Sequence, residues 1–330
     1  MSRRIAVVLG GRSSEHDISV ASAQSVVDAL TAAGNDVVTV AIQRDGAWQL
    51  GSGQKALEAG SLPGTDVATT LGDVDVVFPV LHGPFGEDGT VQGLLELANV
   101  PYVGAGVLAS ALCMDKDVFK SVMRDHNIPV TRNITLRAGD EPRNPFGFPC
   151  FVKPARLGSS VGISKAHDDS ELAAGVALAF QHDEKVLVEE LVSGVEVEVG
   201  VLGNRTPFAS LPGEIVVTSN EWYDYEAKYE EGEMDLVVPA RITPEQIERA
   251  QQVAVEAFVA TDCEGMARAD LFVRDDGEVL VNELNTIPGF TSTSVYARLF
   301  EASGIPYPEL LERLAALAVE RFERRANLRY

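Results

Sequence analysis

The chain has 330 residues, 45% hydrophobic and 23% charged, and its 49 acidic against 27 basic side chains leave a formal net charge of −22. That length corresponds to about two domains of roughly 150 residues, with the composition of an ordinary globular chain. The acidity excludes the basic footprint that grips a nucleic-acid backbone or an anionic membrane, so a nucleotide can bind only where local cations, backbone N–H groups or metal ions overcome the overall field.

Residues 5–9 form a short apolar run ending in Gly10-Gly11, too short for a signal-peptide core and followed by no cleavage site. The pattern predicts a helix over 17–33, because Val20, Ala23, Val27 and Leu30 recur at spacings of three and four and Gly34 closes the segment. A strand over 37–42, a glycine-rich loop over 46–64, a strand over 76–81 and a helix over 88–98 follow. Strand, helix and strand in this order imply a doubly wound parallel sheet with helices on its faces. This first region ends near Gly104.

A helix is expected over 107–126. Strands over 150–153 and 163–165 flank a Gly/Ser loop, and a helix over 168–180 and a strand over 185–189 complete a second α+β unit. From Val195 onward the pattern is mostly strands, with a polar, charged loop over 214–233, a helix over 244–260, strands over 266–273 and 278–284, and helices to the end. No stretch approaches the ~20 apolar residues of a membrane span. Cys113, Cys150 and Cys263 have neither metal-ligand nor redox spacing and read as reduced, buried thiols, which with the absent leader predicts a cytoplasmic protein.

The most informative segment is 268–285. Asp276-Gly277 between two β-like runs is a strong signal for a two-residue hairpin turn. With that turn Asp275 pairs with Glu278, Asp270 faces Glu283, and Arg268 faces Asn285, and the last two pairs share one face. Like charges directly opposed are destabilising, so the two carboxylates call for a cation between them. Their oxygens are hard ligands suited to Mg²⁺ or Mn²⁺, which take further ligands from water and phosphate.

Lys153-Pro154 leads into Ala155-Arg156-Leu157-Gly158-Ser159-Ser160-Val161-Gly162, which lacks the Gly-Lys-Ser/Thr of a P-loop. A Gly/Ser turn between strands can still cover phosphates with its N–H groups, and a tight flexible turn is the competing explanation. Gly104-Ala105-Gly106-Val107-Leu108-Ala109 fits the dinucleotide pattern G-x-G-x-x-A, but the acid at the right distance, Asp125, falls in a helical segment. Close packing explains these glycines better. His126, His167 and His182 read as surface or packing residues, while His16 is left open to a site-facing role.

Taken together the motifs are familiar. Gly10-Gly11-Arg12-Ser13-Ser14-Glu15-His16-Asp17-Ile18-Ser19 resembles the N-terminal signature of D-alanine:D-alanine ligases. His82-Gly83-Pro84-Phe85-Gly86-Glu87-Asp88-Gly89, with Gln92-Gly93-Leu94-Leu95-Glu96, resembles their second motif. The Lys153 to Gly162 segment, Tyr223-Asp224-Tyr225-Glu226-Ala227-Lys228-Tyr229, and Asn282-Glu283-Leu284-Asn285-Thr286-Ile287-Pro288-Gly289-Phe290-Thr291 complete a set spread in order over nearly the whole chain.

The resemblance implies an ATP-grasp fold behind an N-terminal doubly wound domain, divided as 1–104, 105–190 and 191–330. It implies ligation of two D-alanines through an acyl phosphate, with ADP and phosphate released, for peptidoglycan precursor synthesis. By position, Lys116, Lys153 and Lys228 would contact phosphates or adenine. Glu189, Glu190 and Val192 would line the adenine pocket and Glu196 would hold the ribose, with Trp222, Phe272 and Asn282 also contacting the nucleotide. Asp270, Glu283 and Asn285 would bind two Mg²⁺ (or Mn²⁺) ions, and Arg268 with the Gly289 N–H would form the oxyanion site. Glu15 would hold the ammonium of the first D-alanine with His82 nearby, and Ser294 and Val295 would meet the second. Glu15, Ser159 and Tyr229 would form a hydrogen-bonded triad. A homodimer is expected, with no nucleic-acid or membrane partner.

Trp222 stands where relatives often carry Phe, and Glu190 where many carry Lys, which leaves the Glu190 side chain uninformative if that position uses its backbone. The resemblance speaks against D-lactate as second substrate, because Tyr229 is the residue family members use for dipeptide formation. The aromatic, charged segment 214–233 is a candidate lid, needed because an acyl phosphate hydrolyses in water.

Overall fold

The structure, a computed structural model, describes residues 2–51, 71–217 and 234–329. Strands β1 (Arg4–Gly10), β2 (Asp36–Ile42), β3 (Trp48–Gly51) and β4 (Val76–Pro79) form the first sheet in the order β3-β2-β1-β4, with β1 parallel to β2 and β4. Ile5, Val7 and Leu9 enter one buried cluster and Ala6 and Val8 another, so β1 is covered on both faces, as parallel sheets require. One cover combines α1 (His16–Ala32) with the final helices, labelled α7 (Val295–Ala302) and α8 (Tyr307–Ala326) in chain order; the other includes α2 (Thr90–Leu97). The edge strand β3, antiparallel to β2, occupies part of the segment expected to be loop. Its four half-buried residues are too few to show alternation. The rest of that expected loop, from 52, lies outside the described residues.

Residues 107–126 form two helices, α3 (Val107–Met114) and α4 (Lys116–Asp125), rather than one. Asp115 is extended at φ −88 and ψ 95, and its side chain accepts the Val118 N–H. An aspartate in that conformation ends one helix and caps the next.

Strands β5 (Asn133–Arg137), β6 (Cys150–Pro154), β7 (Ser164–Ala166) and β8 (Lys185–Glu190) make an antiparallel sheet ordered β5-β8-β6-β7. Helix α5 (Asp169–Ala179), capped by Asp168, covers it with Leu172, Val176 and Ala179. The largest sheet contains β9 (Val195–Gly203), β10 (Phe208–Ala209), β11 (Gly213–Val217), β12 (Met234–Val237), β13 (Gly265–Val273) and β14 (Val279–Asn285). Helix α6 (Pro244–Ala260), held by a Thr243/Gln246 capping box, buries Val253, Ala257 and Phe258 against its back. Residues 214–217, expected to be loop, belong to β11; residues 218–233 lie outside the described part.

The β13–β14 hairpin corrects one expectation while preserving its consequence. Arg268 pairs with Asn285 and Asp270 with Glu283, as expected, but Leu271 pairs with Val281 and Val273 with Val279, with a register shift after Asp270. The turn therefore has three residues, Asp275, Asp276 and Gly277: Arg274 N–H donates to Glu278 O, and Gly277, at φ +87, donates to Arg274 O. This is the three-residue loop that ends in a left-handed glycine. The extra turn residue slips the register by one, and a bulge at Asn282 restores it before the functional residues are reached. A bulge also re-aims side chains: consecutive residues Asn282 and Glu283 line the same cavity.

Candidate active site

Two adjoining cavities lie between the sheets. The first, about 320 Å³, is bounded by β6, β8, the 157–163 turn, and the β13–β14 face carrying Asp270, Phe272, Asn282 and Glu283. Lys116, Lys153, Glu189, Glu190, Val192 and Glu196 also line it. The second, about 440 Å³, is lined by Glu15, His82, Arg268, Gly289, Ser294 and Val295 among others. Gly158, Ser159 and Glu283 line both. Every site residue expected from the sequence thus meets one of these cavities, except Trp222, Lys228 and Tyr229, which lie outside the described residues; of the expected metal ligands, Asn285 lines only the second.

The first cavity is built from balanced charge. Lys153 Nζ lies 2.6 Å from Glu189 Oε2 and donates to Asn282 Oδ1 at 3.3 Å. Lys120, fully buried, holds the other Glu189 oxygen at 2.5 Å and also binds Thr131. Burial pushes the Glu189 carboxyl up, but the two lysines outweigh it and hold the group below the usual carboxylate range. Lys116 Nζ donates to Leu157 O at 2.9 Å and sits 3.2 Å from Glu283 Oε2. Burial would lower its pKa, and Glu283 reverses that, so Lys116 stays protonated. The Glu190 side chain accepts from Arg132 N and Nε at 2.9 and 2.7 Å.

The facing carboxylates are not left to repel each other. Asp270 accepts from Arg268 Nε and Nη2 at 2.7 and 2.8 Å and from Asn285 Nδ2 at 2.9 Å, while Glu283 is paired with Lys116. Arg268 also lies 2.9 Å from Glu198. Burial opposes its charge, but Asp270 and Glu198 keep it firmly cationic. Among the described residues no cluster of three or more His, Cys, Asp or Glu forms a metal cage. The donor set of two carboxylates and one amide does fit a hard divalent cation that draws its remaining ligands from phosphate and water.

In the second cavity Ser159 Oγ donates to Glu15 Oε1, joining residues 144 positions apart. Ser159 and Ser160 adopt φ of 51 and 58, left-handed conformations that carbon-β side chains rarely accept and that tend to persist at functional turns. His82 is buried and its Nδ1–H donates to Ile287 O at 3.1 Å. Burial lowers its pKa, so the ring is neutral and Nε2 carries a lone pair. That atom has no hydrogen-bond partner among the described residues.

Two sequence descriptions, D-ala D-ala ligase N-terminus and D-ala D-ala ligase C-terminus, match residues 4–105 and 122–316. The chain belongs to the D-alanine–D-alanine ligase family. It is 44% identical to a D-alanine--D-alanine ligase of Geobacillus kaustophilus, over 100% of this chain and 98% of that protein. The D-alanine-D-alanine ligase structure from Coxiella burnetii superposes with a TM-score of 0.85 at 36% identity, covering 98% of this chain and 96% of that one. The VanG D-Ala:D-Ser ligase from Enterococcus faecalis superposes with a TM-score of 0.86 at 36% identity, covering 96% and 100%.

Within this ligase fold some residues of the two cavities escaped sequence reasoning. Glu87 and Glu198 line the second cavity, and Lys120 braces the first from behind. Glu87 sits inside a recognised motif, so its position was visible and its role was not. Lys120 had only its spacing of four from Lys116 on one helix as a signal. Other readings resolve as packing. Gly104 lies so near Gly265 that a Cβ on Gly265 would fall 3.2 Å from Gly104 N, and Ala105 and Ala109 are buried in the core, which accounts for the dinucleotide-like glycines. His16 Nδ1–H donates to Gly11 O at 2.7 Å and so braces the Gly-Gly turn. His126, His167 and His182 are exposed, and all three cysteines are free and buried.

Proposed function

We propose that this chain joins two D-alanines into D-alanyl-D-alanine with ATP as the activating substrate, through an acyl phosphate, supplying a peptidoglycan precursor. The observation that carries the reading is the meeting of two cavities at Gly158, Ser159 and Glu283: a lysine-lined one suited to a triphosphate and one lined by Glu15, Arg268 and Gly289. Phosphoryl transfer is mostly positioning and charge neutralisation, so the γ-phosphoryl group belongs at that junction.

In this reading Glu189, Glu190, Val192, Phe272 and Trp222 surround adenine, Glu196 takes the ribose, and Lys116, Lys153 and Lys228 take phosphates. Asn282 orients Lys153. Asp270, Glu283 and Asn285 hold divalent ions, Mg²⁺ or Mn²⁺, which supply charge neutralisation of the triphosphate when bound. Lys116 would face phosphate and Arg268 the developing oxyanion. Glu15 receives the first ammonium, with the His82 Nε2 lone pair beside it. The carboxylate of that D-alanine attacks the γ-phosphorus as ADP leaves, and the deprotonated amine of the second, held by Ser294 and Val295, attacks the acyl carbon, from which inorganic phosphate departs. Arg268 and the Gly289 N–H stabilise the oxyanion. Ser159 and Tyr229 complete a triad with Glu15. We further assign the segments 1–104, 105–190 and 191–330 to three functional units, a cytoplasmic location and a homodimer.

The decisive experiment measures phosphate release from ATP with D-alanine, alone and with D-serine or D-lactate as competing second substrate. D-alanine-dependent release with the dipeptide as product is expected, abolished in Glu283→Ala. No release with D-alanine overturns the reading, and preferential incorporation of D-serine or D-lactate overturns its specificity.

A further inference from the structure

Glu87 and His82 stand on the turn that follows β4, and both reach across the molecule to one residue, Ile287. His82 Nδ1–H donates to the Ile287 carbonyl at 3.1 Å, and the Ile287 N–H donates to Glu87 Oε1 at 3.2 Å. The other Glu87 oxygen accepts the Gly83 N–H at 2.8 Å, so the carboxyl group is braced to its own turn. That turn is itself packed against the Glu15 carboxylate. Gly83, at φ +71, approaches so closely that a Cβ there would fall 2.4 Å from Glu15 Oε2, and Ser13 Oγ donates to the His82 carbonyl at 2.7 Å.

Ile287 is buried and lies midway between Asn285 and Gly289. With its N–H and its C=O both held, its φ and ψ have nowhere to go. Pro288 follows, and its ring-fixed φ leaves only its ψ as a soft dihedral between Ile287 and the Gly289 N–H. We propose that Glu87 and His82 are positioning residues that grip Ile287 from both sides and thereby aim the Gly289 N–H at the reacting carbonyl. The proposal rests on the ligase reading above, because it needs Gly289 as an oxyanion donor. It gives Glu87 a task in the reaction that acts through the backbone of Ile287. It also splits His82 into two functions, Nδ1 for the brace and Nε2 for the cavity.

Glu87→Gln tests it. The amide keeps the volume and one acceptor oxygen but turns an NH₂ group toward Ile287 N–H or Gly83 N–H, so either the grip on Ile287 or the Gly83 anchor that holds it in place is lost. Misplacement by about 1 Å can cost on the order of 10²-fold in rate. In D-alanine-dependent phosphate release, kcat of the variant is expected to fall about 10- to 100-fold while KM for ATP stays within about two-fold. Hydrogen exchange of the 285–290 peptide should accelerate at least several-fold while the rest of the protein keeps its protection, which holds as a readout even if turnover is lost. A kcat within about two-fold of wild type, or unchanged exchange in that peptide, overturns the proposal. So does a uniform loss of protection and of ATP affinity, which marks Glu87 as a general stability residue. A wild-type protein without D-alanine-dependent turnover would instead sink the ligase reading.

Discussion

Buried ionisable groups decide the chemistry at the scale of single residues. Arg268 is flanked by Asp270 and Glu198, and its planar fork makes two bonds to Asp270 that a lysine cannot reproduce. Arg268→Lys keeps the charge and loses the fork, so kcat is expected to fall about 10²-fold, the scale of losing one oxyanion donor; steady-state kinetics with circular dichroism as a fold control checks this. Glu87 is pushed up to about 8, first by burial and then by the charge of Glu15, from an ordinary 4.5. The folded protein therefore holds a proton on Glu87 between 4.5 and about 8 that the unfolded chain has released. Stability contributed by this group is full below 4.5 and declines as pH rises through about 8. Thermal midpoints measured across that range should show Glu87→Gln gaining on wild type as pH rises; a constant difference refutes the assignment. Roles of this kind were half legible. Glu87 sits in a motif with Gly83, four residues away, but only folding shows that Ile287, 200 residues on, donates to its other oxygen.

The β13–β14 hairpin shows how an element can be read correctly from a partly wrong premise. Asp-Gly announced a tight turn, and the pairing of Asp270 with Glu283 followed, yet the turn is one residue longer and the bulge at Asn282 takes up the difference. Turn signals specify that the chain reverses; register is settled by which residues the sheet must bury. Here the sheet buries Ala269, Leu271, Val279 and Val281 on the far side. Gly277 is at φ +87 and nothing lies within 4 Å of the position a Cβ would take. Gly277→Ala should therefore cost only the conformational penalty, roughly 1–2 kcal/mol, seen as a lower urea midpoint with kcat unchanged. A larger loss, or loss of activity, would mean that the turn does more than close the hairpin. Strand β3 and the break at Asp115 were missed for the same reason: short elements carry too few residues for a period to emerge.

At the scale of the whole molecule, the chain returns to its beginning. Helix α8 lays Leu310, Leu311 and Leu314 into the core under β1, and its Arg321 donates to the carbonyls of Tyr102 and Gly104 while its guanidinium stacks 4.3 Å from the Tyr102 ring centroid. Arg321→Met leaves two buried carbonyls without these donors, at about 1–3 kcal/mol each. A stability loss of roughly 2–5 kcal/mol in guanidinium unfolding is expected, and one below about 1 kcal/mol would show that water replaces the guanidinium.

The sequence alone determined the parallel N-terminal sheet, the hairpin that sets Asp270 opposite Glu283 and the family, because periodicity, turn chemistry and motif order are local properties written in neighbouring residues. What only the tertiary structure decided is which charges neutralise which: Lys120 and Lys153 on Glu189, Lys116 on Glu283, Arg268 between Asp270 and Glu198, and Ile287 held by the turn after β4. Electrostatic and hydrogen-bond partners are chosen by distance in space inside a low-dielectric interior, and separation along the chain carries no information about that distance.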